Sequence, residues 1–279
     1  MAVIDYFKPV EVKSAEEVRG LIKNKKSEDY NIVDVRQPKE YERGHIPGAI
    51  LIPLNVIRER IDELDKNKPT ITYCGSGVRS RAAAATLRDR GFQEIYSMTG
   101  GIGAWEGIKA SGVPESGMAH FTSASGTEEL IALAWILEDG LEKFYTAVPG
   151  IIKDADAQKL FKNLINAEVQ HKNTLFNLYR DVTGKEPPDD FPISIVPTDT
   201  PGDIMEGGMR VSEALEYIKD KKVAAVLELA VSLEANAYDL YMKMKRHVED
   251  DKSKHVFEVL SGEEKSHLQR LTVMLEQKI

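Results

Sequence analysis

Residues 165–175 read INAEVQHKNTL, and residues 261–271 read SGEEKSHLQRL. Each places a Glu three positions before a His: Glu168 before His171, and Glu264 before His267. On a helix such positions share a face, so each pair can direct a carboxylate and an imidazole at one centre. A single Glu-x-x-His carries little information. A third, Glu42–His45, falls among Gly44, Pro47 and Gly48 and is read as coincidence. The other two share a frame. Glu138 precedes Glu168 by 30 residues, and Glu234 precedes Glu264 by 30. Tyr145 follows Glu138 by seven, as Tyr241 follows Glu234. Leu133/Leu229, Ala134/Ala230, Leu137/Leu233 and Leu175/Leu271 match at the same offset of 96. The second half of the chain therefore reads as a duplicated helical hairpin.

The two copies supply four carboxylates and two imidazoles: Glu138, Glu168, His171, Glu234, Glu264 and His267. A Glu from each of two helices and a Glu-x-x-His from each of the others is the ligand set of a carboxylate-bridged di-iron or di-manganese bundle. Each lone Glu sits in an apolar stripe, with Leu133, Leu137 and Leu141 beside Glu138, and Leu229, Leu233 and Ala237 or Leu240 beside Glu234. Burying a bare carboxylate costs several kcal/mol, a large share of a domain's stability, and a pair of dications removes that cost. Two iron ions (Fe2+/Fe3+) are the expected cofactor, with Mn or Zn as alternatives. Tyr145 and Tyr241 are expected next to the ligands.

Working outward, residues 184–208 hold five of the twelve prolines and cannot be continuous helix. The pattern is two helices, a long connection, then two or three more. That is an all-α four-helix bundle with one long crossover, over residues 127–279. Ser125 and Glu128 form a capping box at its start. Residues 113–126, within a Gly- and Ser-rich stretch, read as a linker. Residues 1–112 alternate strands with helices, which implies an α/β domain with a mostly parallel sheet covered on both faces. Ser14 and Glu17 cap a first helix. Strands are expected at Asn31–Val35, Thr70–Tyr73 and Glu94–Met98, and helices at Leu54–Leu64 and Arg79–Arg90.

The single cysteine, Cys74, lies in Cys74-Gly75-Ser76-Gly77-Val78-Arg79-Ser80, between a strand and a helix. Backbone N–H groups in a Gly-rich turn and at a helix N-terminus favour an anion there. A cysteine in that position has its thiolate stabilised and becomes a nucleophile near neutral pH.

This loop, with Ile32-Val33-Asp34-Val35-Arg36, Glu40, Gly44-His45-Ile46-Pro47-Gly48-Ala49 and Gly100-Gly101-Ile102-Gly103-Ala104-Trp105, resembles the single-domain rhodaneses. The resemblance implies that Cys74 accepts a sulfane sulfur from a donor such as thiosulfate, holds it as a persulfide, and passes it to a thiol or cyanide. Gly75, Ser76, Gly77, Val78, Arg79 and Ser80 would cradle the sulfur, with Asp34 and Arg36 shaping the surroundings. Cysteine phosphatases and arsenate reductases use one residue more between Cys and Arg, so four favours sulfur transfer. Positions 75–78 contain no basic residue, which predicts weak selection for a dianionic donor and leaves a persulfide or polysulfide donor open.

Residues 127–279 resemble the rubrerythrins and wider ferritin-like di-iron proteins, and the six ligands carry over one by one. Two departures stand out. Rubrerythrins carry an extra carboxylate one turn after the third-helix Glu, where this chain has Ala237. They also carry a Cys-rich electron-feeding module, which a chain with one cysteine lacks, so an external electron donor is implied. The resulting expectation couples a Cys74 sulfurtransferase to a di-iron centre that reacts with O2 or peroxide, in an oxidative-stress setting. The alternatives are a bundle that only stores metal or assembles the protein, or Cys74 as a redox sensor in a regulatory protein.

Composition narrows the rest. At 279 residues and 42% hydrophobic, the chain is long enough for two domains with cores of their own. One cysteine excludes an intrachain disulfide framework and fits a reducing compartment. Residues 1–112 carry net charge +2 and residues 113–279 carry −10, with no basic stripe of the kind that binds nucleic acid. The longest apolar run, Ile131–Leu137, is too short for a membrane span. The stretch MAVIDYFKPV lacks signal-peptide character. A cytoplasmic protein is expected, paired as a homodimer through exposed helix faces, with ligands that need not all come from one subunit.

Overall fold

The structure, a computed structural model, describes residues 10–23, 25–112, 126–196 and 203–279. The chain divides into two compact units, Met1–Pro114 and Glu115–Ile279. Most of the 113–126 stretch read as a linker, Ser125 included, lies outside the described residues.

In the first unit, β1 (Glu11–Lys13), β2 (Asn31–Asp34), β3 (Ile50–Leu51), β4 (Thr70–Tyr73) and β5 (Ile95–Met98) form one sheet in the order β1-β5-β4-β2-β3. Every pairing is parallel, with Asn31 opposite Thr70 and Asp34 opposite Tyr73 in the β2–β4 pair. β2, β4 and β5 are buried throughout, as strands covered on both faces must be. Successive residues feed opposite faces. Ile32 joins Ile71, Tyr73 and Met98 in one core cluster, and Val33 joins Ala83, Leu87 and Ile95 in the other. Ser14 caps α1 (Ala15–Ile22) through a reciprocal box: its hydroxyl accepts from Glu17 N at 3.1 Å, and its own N–H donates to Glu17 at 2.6 Å. A short α2 spans Pro38–Glu42, and α3 spans Val78–Asp89. α3 stops at Arg90 and Gly91, which takes φ +97°.

One expected helix is absent. Leu54–Leu64 is two 3-10 turns, Leu54–Val56 and Ile61–Glu63. Ile57, Ile61 and Leu64 are buried at the expected spacing, so the period reports burial correctly. Asn55, Val56 and Ile57 are weak helix formers directly after Pro53, and the segment closes as tight turns against the sheet.

The second unit holds α4 (Thr127–Ile151), α5 (Ala155–Thr183), α6 (Val211–Ile218), α7 (Val223–His247) and α8 (Asp251–Glu276). α4 pairs with α5 and α7 with α8 as two hairpins, and α5 packs on α8, which makes the four-helix bundle. The α4 N-cap is Gly126, which makes no side-chain cap bond, and Ser125 of the expected capping box lies outside the described residues. Within the α4–α5 turn, Gln158 Nε2 donates to Pro149 O and Ile152 O at 2.9 Å each, and Asp154 caps α5 by accepting from Ala157 N at 2.9 Å. These bonds satisfy groups that helix ends leave unpaired. Residues 184–210 form the crossover, with Pro197 and Pro201 outside the described residues. It returns onto the bundle so closely at Ile204 that a Cβ on Gly140 of α4 would overlap the Ile204 carbonyl. No described helix is long and apolar enough to cross a membrane.

Candidate functional sites

Cys74 follows β4 directly, at the carboxyl end of a central strand, where open α/β sheets place their ligands. Its side chain is buried, and Gly77 N donates to its sulfur at 3.1 Å. Ser80 Oγ lies 3.8 Å from the sulfur and 2.9 Å from Ser97 Oγ. Burial raises the Cys74 thiol, but the N–H groups of Ser80, Ser76 and Gly77 outweigh it and bring the thiol below its ordinary value. The loop shape depends on Gly77 at φ +98°, packed on the backbone of Met98 and Gly100.

Arg79 does not project freely. Its Nη1 and Nη2 each donate to Glu40 at 2.7 Å, and this pairing holds the Glu40 carboxyl down at about 2. Asp34 and Arg36 form a buried ion pair at 2.6 Å, and Arg36 also donates to Gly44 O at 2.7 Å. Both therefore brace the backbone beside the loop. A cleft lined by Arg36, Glu40, Arg43, Gly44, Ile102, Gly103 and Lys109 lies next to it, with Gly103 N donating to Gly75 O at 3.3 Å. Arg43 and Lys109 add positive charge from other segments.

In the bundle, the six sequence-selected ligands converge within one chain. Donor atoms of Glu138, Glu168, His171 and Glu264 lie within 4.8 Å of one another, as do those of Glu168, Glu234 and His267. Glu168 belongs to both groups. His171 Nδ1 sits 3.2 Å from Glu138, 3.2 Å from Glu168 and 3.1 Å from Glu264. His267 Nδ1 sits 3.4 Å from Glu234 and 3.3 Å from Glu264. The two imidazoles stack with centroids 5.5 Å apart. Tyr145 Oη donates to Glu234 at 2.7 Å, and Tyr241 Oη donates to Glu138. Each tyrosine thus serves the lone Glu of the other copy.

The electrostatics are those of a cluster built around positive charge. Burial, then the neighbouring carboxylates, push Glu168 well above the usual range, and burial with Glu264 pushes Glu234 up to about 8. Burial opposes charge on His267, yet Glu234 and Glu264 prevail and raise it to about 10. Both Glu168 oxygens, Glu234 Oε2 and Glu264 Oε1 meet the imidazoles at ion-pair distance only and accept no hydrogen bond. Unpaired buried acceptors are costly. Oxygen and imidazole donors on facing helices suit first-row dications, so the residues present fit a dimetal centre. Glu42–His45 takes no part: the His45 ring stacks on Tyr41 at 3.6 Å, and its Nδ1 faces Tyr41 O at 3.0 Å.

Comparison with known proteins follows the same division. The rubrerythrin family model matches residues 129–275, and the rhodanese-like domain model matches residues 14–108. The chain belongs to the rubrerythrin family and carries a rhodanese-like domain. A sulfurtransferase of Allochromatium vinosum is 39% identical over 79 residues, covering 28% of this chain and 74% of that protein. The thiosulfate sulfurtransferase GlpE of Coxiella burnetii is 37% identical over 81 residues, covering 29% and 76%. The uncharacterized protein YqhL of Bacillus subtilis is 49% identical over 80 residues, 28% of this chain, and the chain spans 64% of its length.

Against the rubrerythrin pattern, the position one turn after Glu234 is a fully buried Ala237. Three residues at these sites carried no role in the sequence reading: Glu40, which fixes Arg79; Ser97, which touches Ser80; and Glu206, a buried carboxylate in the crossover. Glu40 stood within a recognised motif, and only its partner was missing. The other two lie on segments whose sequence has no metal or nucleophile signature.

Proposed function

We propose that the protein is a sulfurtransferase working through a Cys74 persulfide, joined to a redox centre in which Glu138, Glu168, His171, Glu234, Glu264 and His267 hold two iron ions. The observation that carries the first part is the Cys74 sulfur, held at 3.1 Å by Gly77 N–H inside a ring of amides. The Cys74 thiolate attacks the outer sulfur of thiosulfate, forming a sulfur–sulfur bond as sulfite leaves. A thiol or cyanide then takes that outer sulfur, and the Cys74 thiolate is regenerated. The loop amides stabilise the sulfur anion at both stages. Arg43 and Lys109 in the neighbouring cleft favour an anionic donor, a class that includes thiosulfate, persulfides and polysulfides.

In the bundle, two bound iron ions would supply redox chemistry toward O2 or peroxide, with electrons from an external donor. The chain's own residues hold and orient them. Tyr145 and Tyr241 fix the rotamers of Glu234 and Glu138, and the surrounding leucines keep bulk water away. The lone thiol supports a reducing, cytoplasmic setting, and a homodimer is the proposed assembly.

The test is thiosulfate:cyanide transfer by the full chain. Activity lost in Cys74→Ser, with one added sulfur on Cys74 seen by mass spectrometry after thiosulfate treatment, is expected. Transfer that persists in Cys74→Ser overturns the reading.

A further inference from the structure

The crossover carries a carboxylate that the six-ligand pattern does not use. Glu206 is 1% exposed, and neither of its oxygens has a hydrogen-bond partner. It lies in a 3-10 turn, Glu206–Gly208, packed on α7 and α4. The turn is built with care. Met205 N donates to Met209 O at 2.8 Å, Gly208 N to Met205 O at 3.0 Å, and Val211 N to Asp203 O at 2.9 Å. Ile204 and Met205 anchor it in the core on either side. Two glycines permit its approach. Gly140 gives way to the Ile204 carbonyl, and Gly207, at φ +82°, abuts the Asn236 side chain. Asn236 lies two residues after Glu234 on α7.

The segment around Glu206 meets α4 at Gly140 and α7 at Asn236, each two residues beyond a lone Glu of the cluster, Glu138 and Glu234. A buried carboxylate without a hydrogen-bond partner, delivered beside other buried carboxylates, is unfavourable unless a cation lies among them. Leucine or methionine would fill the same space without that penalty.

We propose that Glu206 is a seventh protein ligand of the bundle's metal centre, delivered by the crossover. The assignment rests on reading the cluster as a metal site. Glu206 lies outside the two donor groups whose atoms fall within 4.8 Å, so binding draws it in by rotation about its three side-chain torsions.

The decisive experiment is anomalous-scattering crystallography of the native chain loaded anaerobically with Mn(II). Two ions in the cluster, with a Glu206 oxygen within about 2.5 Å of one, is the expected result. Two ions with Glu206 remote from both overturns this proposal and leaves the six-ligand centre standing. No bound ion overturns both. In solution, Mn(II) titration followed by electron paramagnetic resonance should show Glu206→Gln weakening one of two sites by about tenfold or more. Glu228→Gln, exposed on α7, should weaken neither. Equal effects from the two variants would mean only a through-space charge effect, and would overturn ligation.

Discussion

At the scale of single residues, the first unit turns on a contest at one sulfur. Burial disfavours the Cys74 thiolate, and three backbone N–H groups favour it more strongly. A depressed thiol pKa means the reactive anion is already present at lower pH. The rate of alkylation by iodoacetamide, followed against pH, should therefore reach half its plateau below about 8.5, the ordinary cysteine value. A midpoint at or above that value would mean burial wins. Cys74 was legible from sequence because its loop chemistry is local. The Glu40 partner of Arg79 was not, because that bond joins residues 39 positions apart and only the fold sets the pair. Arg43 and Lys109, which line the neighbouring cleft, escaped for the same reason.

At the scale of elements, the cysteine loop is held from behind by the turn after β5. Ile102 N donates to Cys74 O at 2.8 Å, and Gly101, at φ +56°, faces the loop so closely that a Cβ would overlap Cys74 O and Gly75 C. Gly101→Ala meets both a backbone penalty and a steric one. It should cost about 2 kcal/mol or more in denaturant unfolding and lower sulfur transfer at least tenfold, while Cys74 remains titratable as a thiol. Transfer within twofold of the native rate would show that the loop keeps its shape without this support. The glycine motif was visible in sequence, but its purpose was not, since nothing local to Gly101 indicates that Cys74 lies against it. The Leu54–Leu64 segment shows the reverse case. Its apolar period correctly marked which side chains are buried, yet periodicity alone does not distinguish one helix from two turns.

At the scale of the whole molecule, each unit has its own pair of core clusters. Two unfolding transitions are therefore expected in calorimetry. Metal held by the folded bundle but not by its unfolded chain stabilises that unit alone, by about 3–4 kcal/mol at 100–1,000 times the dissociation constant. Removing metal with a chelator should lower one transition and leave the other in place. Equal shifts in both would mean the units do not unfold independently. The bundle was the most legible part of the chain, because a duplication writes the same ligand spacing twice. Glu206 was the least legible. It sits in the connection between the copies, where the repeat has no counterpart to compare.

The tyrosines add one more consequence. Tyr145 reaches Glu234 in the second hairpin, and Tyr241 reaches Glu138 in the first. Neither hairpin contains the hydroxyl that orients its own lone carboxylate. A single hairpin standing alone would meet that requirement only by embracing a second copy of itself. The crossover supplies that second copy within one polypeptide.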